Sequence, residues 1–223
     1  WLRLRGNHQN FCHSYGNVVM RIAVFLTYGN SLEDWEYGGI LERELSIYCE
    51  YQKRGHVVTL VSYGSSKDVL LGAKYGLHSV LTNKWSLPTA IYGCVLPYIY
   101  GDCFRDVDFL KTNQLQGAHV AWAVSRKFDK PLVVRQGYSH YEFAIAANGA
   151  DHLLTKRAKF YEMKYLRHAT LSLVTSHEMV AGIIRRVGLH KSKVRVIPNF
   201  IIEDTWAPPH RPRDLLEKKL VIG

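Results

Sequence analysis

Short apolar runs alternate with longer stretches of helical periodicity along most of this chain. The run IAVFL at 22–26 is continuously apolar, which is typical of a strand buried on both faces of a parallel sheet. From Ile40 to Tyr51 apolar residues recur at helical spacing, and Gly55 stands where a left-handed cap is expected. VVTLV at 57–61 is a second buried strand. This order predicts a right-handed parallel crossover.

The alternation continues to residue 197. It predicts further strands at 77–81, 107–111, 132–135, 171–175 and 194–197, and helices at 88–104, 114–128, 156–168 and 176–187. Ser176 has the residue type of an N-cap, Glu178 suits the first turn, and Gly188 closes the last of these helices. We therefore predict an α/β fold built on a doubly wound parallel sheet.

Both ends of the chain depart from this pattern. Residues 1–19 begin with Trp1, lack periodicity and have no signal-peptide core, so we expect a non-native or disordered extension, with Met20 as the natural start. A short native N-terminal arm is the alternative. Residues 201–223 are rich in proline and charge and end in an apolar run. They predict a linker and the truncated start of a second domain.

The polar stretch 27–39, between the first strand and the first helix, ends in Gly38 and Gly39. A turn without side chains at a helix N-terminus is well shaped to receive a phosphate or a sugar. The stretch contains neither GxGxxG nor GxxxxGK[ST], so dinucleotide and Walker-type sites are not indicated. Taken alone, the glycine pair is equally compatible with a tight turn.

The net charge of +10 is concentrated in one part of the chain. Ten basic residues and only two acidic ones lie between Lys156 and Arg195. Such a surface attracts anionic lipid headgroups, acidic glycans or nucleic acid, unless it is an ordinary solvated face. Aromatic residues do not interleave with the basic ones in a stacking pattern, which argues against nucleic acid.

Metal, redox and membrane-spanning signals are weak in this sequence. The four cysteines form no CxxC pair and the eleven histidines have no metal-ligand spacing, so we expect reduced thiols and no metal or other cofactor. No apolar run approaches the roughly 20 residues that cross a bilayer.

Several segments stand in an order that resembles the N-terminal domain of retaining glycosyltransferases of family 4, which have the two-domain GT-B architecture. MRIAVF is followed by GGILERELSIY and RGHVVTLVSYG, then by DFLKTNQ, PLVVRQGY and finally LSLVTSHEMVAGIIRRVGLHKSKVRVIPNF. The resemblance covers about Met20 to Pro208, and the last segment is its most specific part. It implies that residues 20–200 form a Rossmann-like, acceptor-side domain.

The resemblance also implies roles for particular residues. Gly38 and Gly39 would approach the diphosphate of a nucleotide sugar. The acceptor would contact residues at the strand ends, namely Asn113, Gln114, Arg135, Gln136, Gly137 and Tyr138. His140 is the nearest counterpart of a histidine that many members carry near the transferred sugar.

The chemistry of these side chains agrees with those roles, although other interpretations exist. The amides of Asn113 and Gln114 can both donate to and accept from sugar hydroxyls, or they can cap the next helix. Arg135 offers a planar fork to a phosphate or carboxylate, or it can pair with Asp108. Tyr138, like Tyr141, can stack on a sugar ring or pack on the protein surface.

The function that the resemblance implies is retaining, metal-independent transfer of a sugar to a glycan or lipid-linked acceptor, in cell-surface polysaccharide or glycolipid synthesis. The protein would be cytoplasmic, with the basic helices 156–167 and 183–195 holding it to the inner face of the membrane. The charged pairs that the family places in its second domain are absent, so this chain is expected to be inactive alone. The alternative function is a non-catalytic carbohydrate- or partner-binding domain of GT-B origin.

Overall fold

The structure, a computed structural model, describes residues 18–199. The expectations for residues 1–17 and for residues 201–223 fall outside this range. Within it, seven strands form one sheet of order β3-β2-β1-β4-β5-β6-β7, and all neighbouring pairs are parallel. The strands are β1 Arg21–Phe25, β2 Val57–Val61, β3 Ser79–Leu81, β4 Phe109–Thr112, β5 Leu132–Gln136, β6 Leu171–Val174 and β7 Val194–Val196. The predicted α/β class with a doubly wound parallel sheet is confirmed.

Helices cover the two faces of the sheet. They are α1 Leu32–Tyr37, α2 Leu41–Lys53, α3 Lys67–Lys74, α4 Thr89–Ile99, α5 Gly101–Arg105, α6 Ala118–Phe128, α7 His140–Asn148, α8 Leu153–His168 and α9 His177–Val187, with a 3-10 turn at Lys191–Lys193. Successive side chains of a strand point to opposite faces, so the continuous apolar run of β1 supplies both cores.

The first face is the side to which Ile22 and Val24 point, and α1, α2 and α3 pack on it. The second face receives Ala23 and Phe25 together with helices α4, α5, α6, α8 and α9. The helices on the first face cover the sheet only as far as β4. Among residues 18–199, no helix packs on the first face of β5, β6 or β7.

Several details of the sequence prediction hold in the structure. Gly55 has φ +86° just beyond the end of α2, and Gly188 has φ +71° at the end of α9. Ser176 caps α9, since its side chain accepts a hydrogen bond from the backbone N–H of Met179 at 3.3 Å. The predicted helix 88–104 is present as two pieces, α4 and α5.

The stretch predicted as a polar loop at 27–39 contains helix α1, so that part of the prediction is wrong. A capping box begins the helix: the Ser31 side chain accepts from the Asp34 N–H, and the Asp34 carboxylate accepts from the Ser31 N–H. Helices α3 and α7 were also not predicted, and α6 begins four residues late, after Gly117 at φ +113°.

Candidate functional site

A cleft of about 240 Å³ lies between α2 and the carboxyl ends of β4 and β5. Its wall is formed by Arg43, Glu44 and Tyr48 of α2, and its floor by Lys111 and Arg135 on the open first face of the sheet. The rest of its lining is Ile47, Tyr51, Asn113, Gln114, Gly137, Tyr138, Leu173, Ile197, Pro198 and Asn199.

The position of the cleft follows from the strand order. β1 pairs with β2 on one side and with β4 on the other, and the chain crosses from the first face to the second between β3 and β4. Loops at the carboxyl ends of the strands therefore diverge at this point and leave a crevice, which is where open α/β sheets bind ligands.

Five of the six predicted acceptor residues line this cleft: Asn113, Gln114, Arg135, Gly137 and Tyr138. Hydrogen bonds hold the two strand-end loops together. The Gly137 N–H donates to Gln114 Oε1 at 2.9 Å, and Arg135 Nη1 donates to the Asn113 carbonyl at 3.1 Å. Arg135 Nη2 also donates to Asn199 Oδ1 at 2.7 Å.

The alternative explanations for Asn113, Gln114 and Arg135 do not hold. Helix α6 begins after Gly117 and receives no side-chain cap, so Asn113 and Gln114 do not cap it. Asp108 forms no ion pair with Arg135, and its carboxylate instead accepts from the backbone N–H of Arg21 at 2.6 Å.

Gln136 does not reach the cleft, so direct acceptor contact, as predicted for it, is not possible in this structure. It follows Arg135 in β5, and alternation along the strand sends its side chain to the second face. There it is 1% exposed and its Nε2 donates to Glu162 Oε2 at 2.7 Å. Gln136 thus holds the end of β5 in place from the second face of the sheet, opposite to the cleft.

Gly38 and Gly39 are exposed and do not line the cleft. Their backbone N–H groups close the end of α1: Gly38 donates to the Asp34 carbonyl and Gly39 to the Glu36 carbonyl, each at 3.0 Å. The glycine N–H groups are therefore not available to a diphosphate here, contrary to the expectation. Residues 41–43 of α2 carry the N–H groups that a helix N-terminus leaves unpaired.

Lys111 is a cleft residue that the sequence analysis missed. Its Nζ donates to the Tyr48 hydroxyl at 2.8 Å, and that hydroxyl donates to Asn113 Oδ1 at 3.4 Å. Burial lowers the pKa of Lys111 to about 7; the nearby Arg135 acts in the same direction, and Glu44 opposes both. Burial also raises the pKa of Tyr48, which therefore stays protonated. The sequence did contain a signal for Lys111, namely a charged residue within the strand predicted at 107–111.

His140 lies outside the cleft, at the start of α7. It lines a second cavity, of about 390 Å³, between α7 and α8. Its Nδ1 is 3.1 Å from Gln116 Nε2, which also donates to the Tyr138 hydroxyl at 2.9 Å. Burial lowers the pKa of His140, although Glu162 opposes this effect. His140 is thus linked to the rim of the cleft through Gln116.

The two tyrosines after β5 differ in availability. Tyr138 is 44% exposed at the rim of the cleft, and its ring meets the edge of Phe143 at 5.7 Å between centroids. Tyr141 instead lies under the guanidinium of Arg186, at 5.3 Å, and near Lys159. Tyr138 can receive a sugar ring, whereas Tyr141 packs within the protein.

Other functional features are limited in the part of the chain that the structure describes. Within residues 18–199 no group of three or more His, Cys, Asp and Glu side chains could hold a metal ion. Over the same range no helix combines the length and apolarity that crossing a membrane requires. The side chains that line the cleft offer cations, amides, phenols and one carboxylate, that of Glu44.

A parallel sheet with a crevice at its switch point defines a doubly wound α/β protein, and sequence comparison names its family. The chain belongs to Glycosyltransferase Family 4, whose model matches residues 38–205. The resemblance inferred from motif order is thereby confirmed. No curated protein matches the chain.

Solved structures of GT-B glycosyltransferases share the fold. HepE from Anabaena, in complex with UDP and glucose, is 16% identical with a TM-score of 0.55, over 82% of this chain and 45% of that one. MurG from Acinetobacter baumannii is 10% identical with a TM-score of 0.51, over 83% and 47%. Sucrose-phosphate synthase from Thermosynechococcus elongatus is 15% identical with a TM-score of 0.50, over 80% and 48%. This chain spans less than half the length of each of them.

Proposed function

We propose that this chain supplies the acceptor-binding part of a retaining glycosyltransferase, which transfers a sugar from a nucleotide sugar to a glycan or lipid-linked acceptor in cell-surface polysaccharide or glycolipid synthesis. The observation that carries the proposal is the cleft at the carboxyl edge of the sheet, in a chain of a glycosyltransferase family. Five side chains or backbone groups that the family resemblance assigns to the acceptor meet in that cleft.

The cleft suits a polyhydroxylated ligand. The amides of Asn113, Gln114 and Asn199 offer both donors and acceptors, as sugar hydroxyls require. Tyr138 offers an exposed ring at the rim, onto which a sugar can stack. The hydrogen bonds between the loops of β4 and β5 hold these groups in place before any ligand arrives.

The donor side of the proposal is supported by the fold. HepE, which shares the fold, is known in complex with UDP-glucose. A uridine diphosphate sugar is therefore the first donor to test on this protein. We expect the leaving diphosphate to be stabilised by preorganised positive charge and not by a metal ion.

The proposal includes association with an anionic membrane surface at the cytoplasmic side. Four large apolar side chains are more than half exposed on the α7–α8 pair: Phe143, Leu153, Leu154 and Phe160. Exposed Lys156, Arg157 and Lys159 stand among them on α8. Exposed apolar side chains flanked by basic ones are a combination that binds to anionic lipid surfaces. The α9 part of the expected basic surface is smaller, because Arg186 is bonded to Glu162 and Glu142.

Backbone-amide NMR on the 223-residue chain tests the proposal. Acceptor-type glycans and glycolipid headgroups should shift the signals of Asn113, Gln114 and Gly137, and Gln114→Ala should weaken binding about tenfold. Glu50→Gln, on an exposed part of α2 outside the cleft, is the matched control and should bind as the wild type does. A broad glycan panel that shifts none of the cleft signals contradicts the proposal.

A nucleotide titration in the same experiment separates the proposal from its alternative. A transferase should show shifts at the N-terminus of α2, near Arg43, when UDP or another nucleotide is added to the glycan complex. Glycan binding with no response to any nucleotide favours a non-catalytic carbohydrate-binding domain instead.

A further inference from the structure

We propose that the floor of the cleft is a binding site for a phosphate monoester group of the acceptor, with Lys111 and Arg135 as its cationic contacts. The proposal depends on the proposed function in one respect: that the acceptor occupies this cleft. It adds the chemical class of that acceptor.

Lys111 and Arg135 are close neighbours on the open first face of the sheet. Lys111 is paired in register with Val133 in β5, and Arg135 follows two residues later on the same face. Both line the cleft, together with the Tyr48 hydroxyl that accepts from Lys111 Nζ. Two cations and a phenol hydroxyl thus surround one small volume.

These two cations form no ion pair within residues 18–199, although Glu44 is close enough to raise the pKa of Lys111. The acid in the cleft lining, Glu44, is paired with Arg43 at 2.9 Å. No carboxylate of the described residues forms an ion pair with Lys111 or Arg135. Partly buried charge that no ion pair neutralises is costly, and a bound anion lowers that cost.

The amount of uncompensated charge favours a phosphate monoester over a neutral sugar or a single carboxylate. With Lys111 protonated, the two cations match the charge of about −1.5 to −2 that a phosphate monoester carries at pH 7. A carboxylate would leave one cation without a partner, and a neutral sugar would leave both. Donor capacity also remains, since an ammonium has three N–H groups and Lys111 spends one on Tyr48.

The pKa of Lys111 links phosphate binding to proton uptake. The groups facing Lys111 are Tyr48 and Glu44 from α2 and Arg135 from β5, and burial together with Arg135 lowers its pKa to about 7. A dianion beside the ammonium favours the charged form and raises that pKa. Above pH 7 binding must therefore take up a proton, so affinity falls as pH rises from about 7.5 to 9. The phosphate itself is already dianionic there, because its second pKa is about 6.

NMR titration of the lysine ¹³Cε signals tests the site. The Lys111 signal is identified by its loss in Lys111→Met, and its pKa is measured alone and with saturating glycerol 3-phosphate or glucose 6-phosphate. We expect the Lys111 pKa to rise by at least one unit with a phosphate monoester and to stay unchanged with glycerol or glucose. Lys111→Met should weaken phosphate binding more than tenfold. In this variant the affinity for phosphate should no longer fall between pH 7.5 and 9.

The controls separate a lost site from a lost fold. Lys159→Met removes an exposed lysine of α8 and should leave phosphate binding unchanged. Lys111→Met keeps an apolar stem in the floor of the cleft, so its midpoint in urea should match or exceed that of the wild type. A preference for glucose 6-phosphate identifies a sugar phosphate, and a preference for glycerol 3-phosphate identifies a glycerophosphate headgroup; both support the site.

Two results would overturn the inference. One is a Lys111 pKa that no phosphate monoester changes; the other is a response to UDP alone, which would assign the cations to the donor. If neutral glycans still shift the cleft signals in either case, the proposed glycosyltransferase function stands. If phosphate raises the Lys111 pKa but no sugar ligand binds in any titration, the proposed glycosyltransferase function fails and the phosphate site remains.

Discussion

Asp68 shows how a single buried carboxylate can position an entire helix. Its side chain is fully buried, and its oxygens accept from the backbone N–H groups of Leu32 at 2.9 Å and Glu33 at 3.2 Å. It also accepts from the Ser62 hydroxyl. These N–H groups belong to the first turn of α1, where a negative charge is favourable. Asp68, in the first turn of α3, therefore joins α1 to α3 and to the loop after β2.

Replacing Asp68 by alanine should lower the free energy of unfolding by about 2–4 kcal/mol, because buried N–H donors are left without an acceptor. Urea denaturation of the purified chain measures this. Asp102→Ala, at a side chain that is 95% exposed, is the matched control and should unfold at the wild-type midpoint. Equal midpoints for the two variants would show that Asp68 contributes no net stability.

The alternation of side chains along β5 explains which site residues could be predicted. The motif order located the strand-end loops, and five of the six acceptor candidates do line the cleft. Gln136 could not be separated from Arg135 without the register of β5, which decides the face that each side chain takes. Lys111 was missed for a related reason: its partner Tyr48 is 63 residues away in sequence.

At the scale of elements, an ionic network on the second face ties three helices to β5. Glu162 of α8 is 1% exposed, and it accepts from Gln136 at the end of β5 and from Ser139, the N-cap of α7. Arg186 of α9 donates to the other oxygen of Glu162 at 2.9 Å and to Glu142 of α7. The network holds the loop that carries Gly137 and Tyr138 from the side opposite to the cleft.

Arg186→Ala should destabilise the fold by about 3 kcal/mol or more, because it leaves the Glu162 carboxylate buried without a counter-charge. Thermal and urea unfolding provide the measurement. Arg185→Ala is an ideal control, since Arg185 is the preceding residue of the same helix and is exposed. If Glu162→Gln combined with Arg186→Leu were as unstable as Arg186→Ala alone, the buried charge would not be the cause.

The elements themselves were predictable to different degrees for physical reasons. Long apolar runs and caps located β1, β2 and α9, since burial on both faces and N-capping leave clear local patterns. Helix α1 has only six residues with two buried, Leu32 and Trp35, too few for a periodic signal. Helix α7 buries little more than Ala144 and depends on α8 for its packing, which no local pattern encodes.

At the scale of the whole molecule, the cleft and the exposed apolar surface are neighbours. Tyr138 at the rim of the cleft contacts Phe143 of α7, and Phe143 belongs to the exposed apolar group. A lipid-linked acceptor would need its lipid near a membrane and its head group in the cleft. The adjacency of the two surfaces is compatible with that requirement.

The triple change Lys156→Gln, Arg157→Gln, Lys159→Gln should weaken binding to anionic vesicles by roughly 100-fold, since each basic residue near such a surface contributes about 1 kcal/mol. Co-sedimentation with phosphatidylcholine vesicles, with and without phosphatidylglycerol, measures it. The matched control neutralises three lysines on other helices, Lys53, Lys67 and Lys74. Equal losses in both triple variants would indicate attraction by net charge and not by the α7–α8 surface.

The central place of β1 in the sheet has a consequence for synthesis of the protein. Among the strands of residues 18–199, β1 comes first along the chain. Its second partner, β4, follows roughly 80 residues later, which takes about 4–16 s at the usual translation rates of 5–20 residues per second. During that interval one backbone edge of a strand that is apolar from Ile22 to Phe25 has no partner, and such edges pair readily with other chains. The nascent protein is therefore most exposed to aggregation before Thr112 leaves the ribosome, and a chaperone that binds extended apolar segments would act on it then.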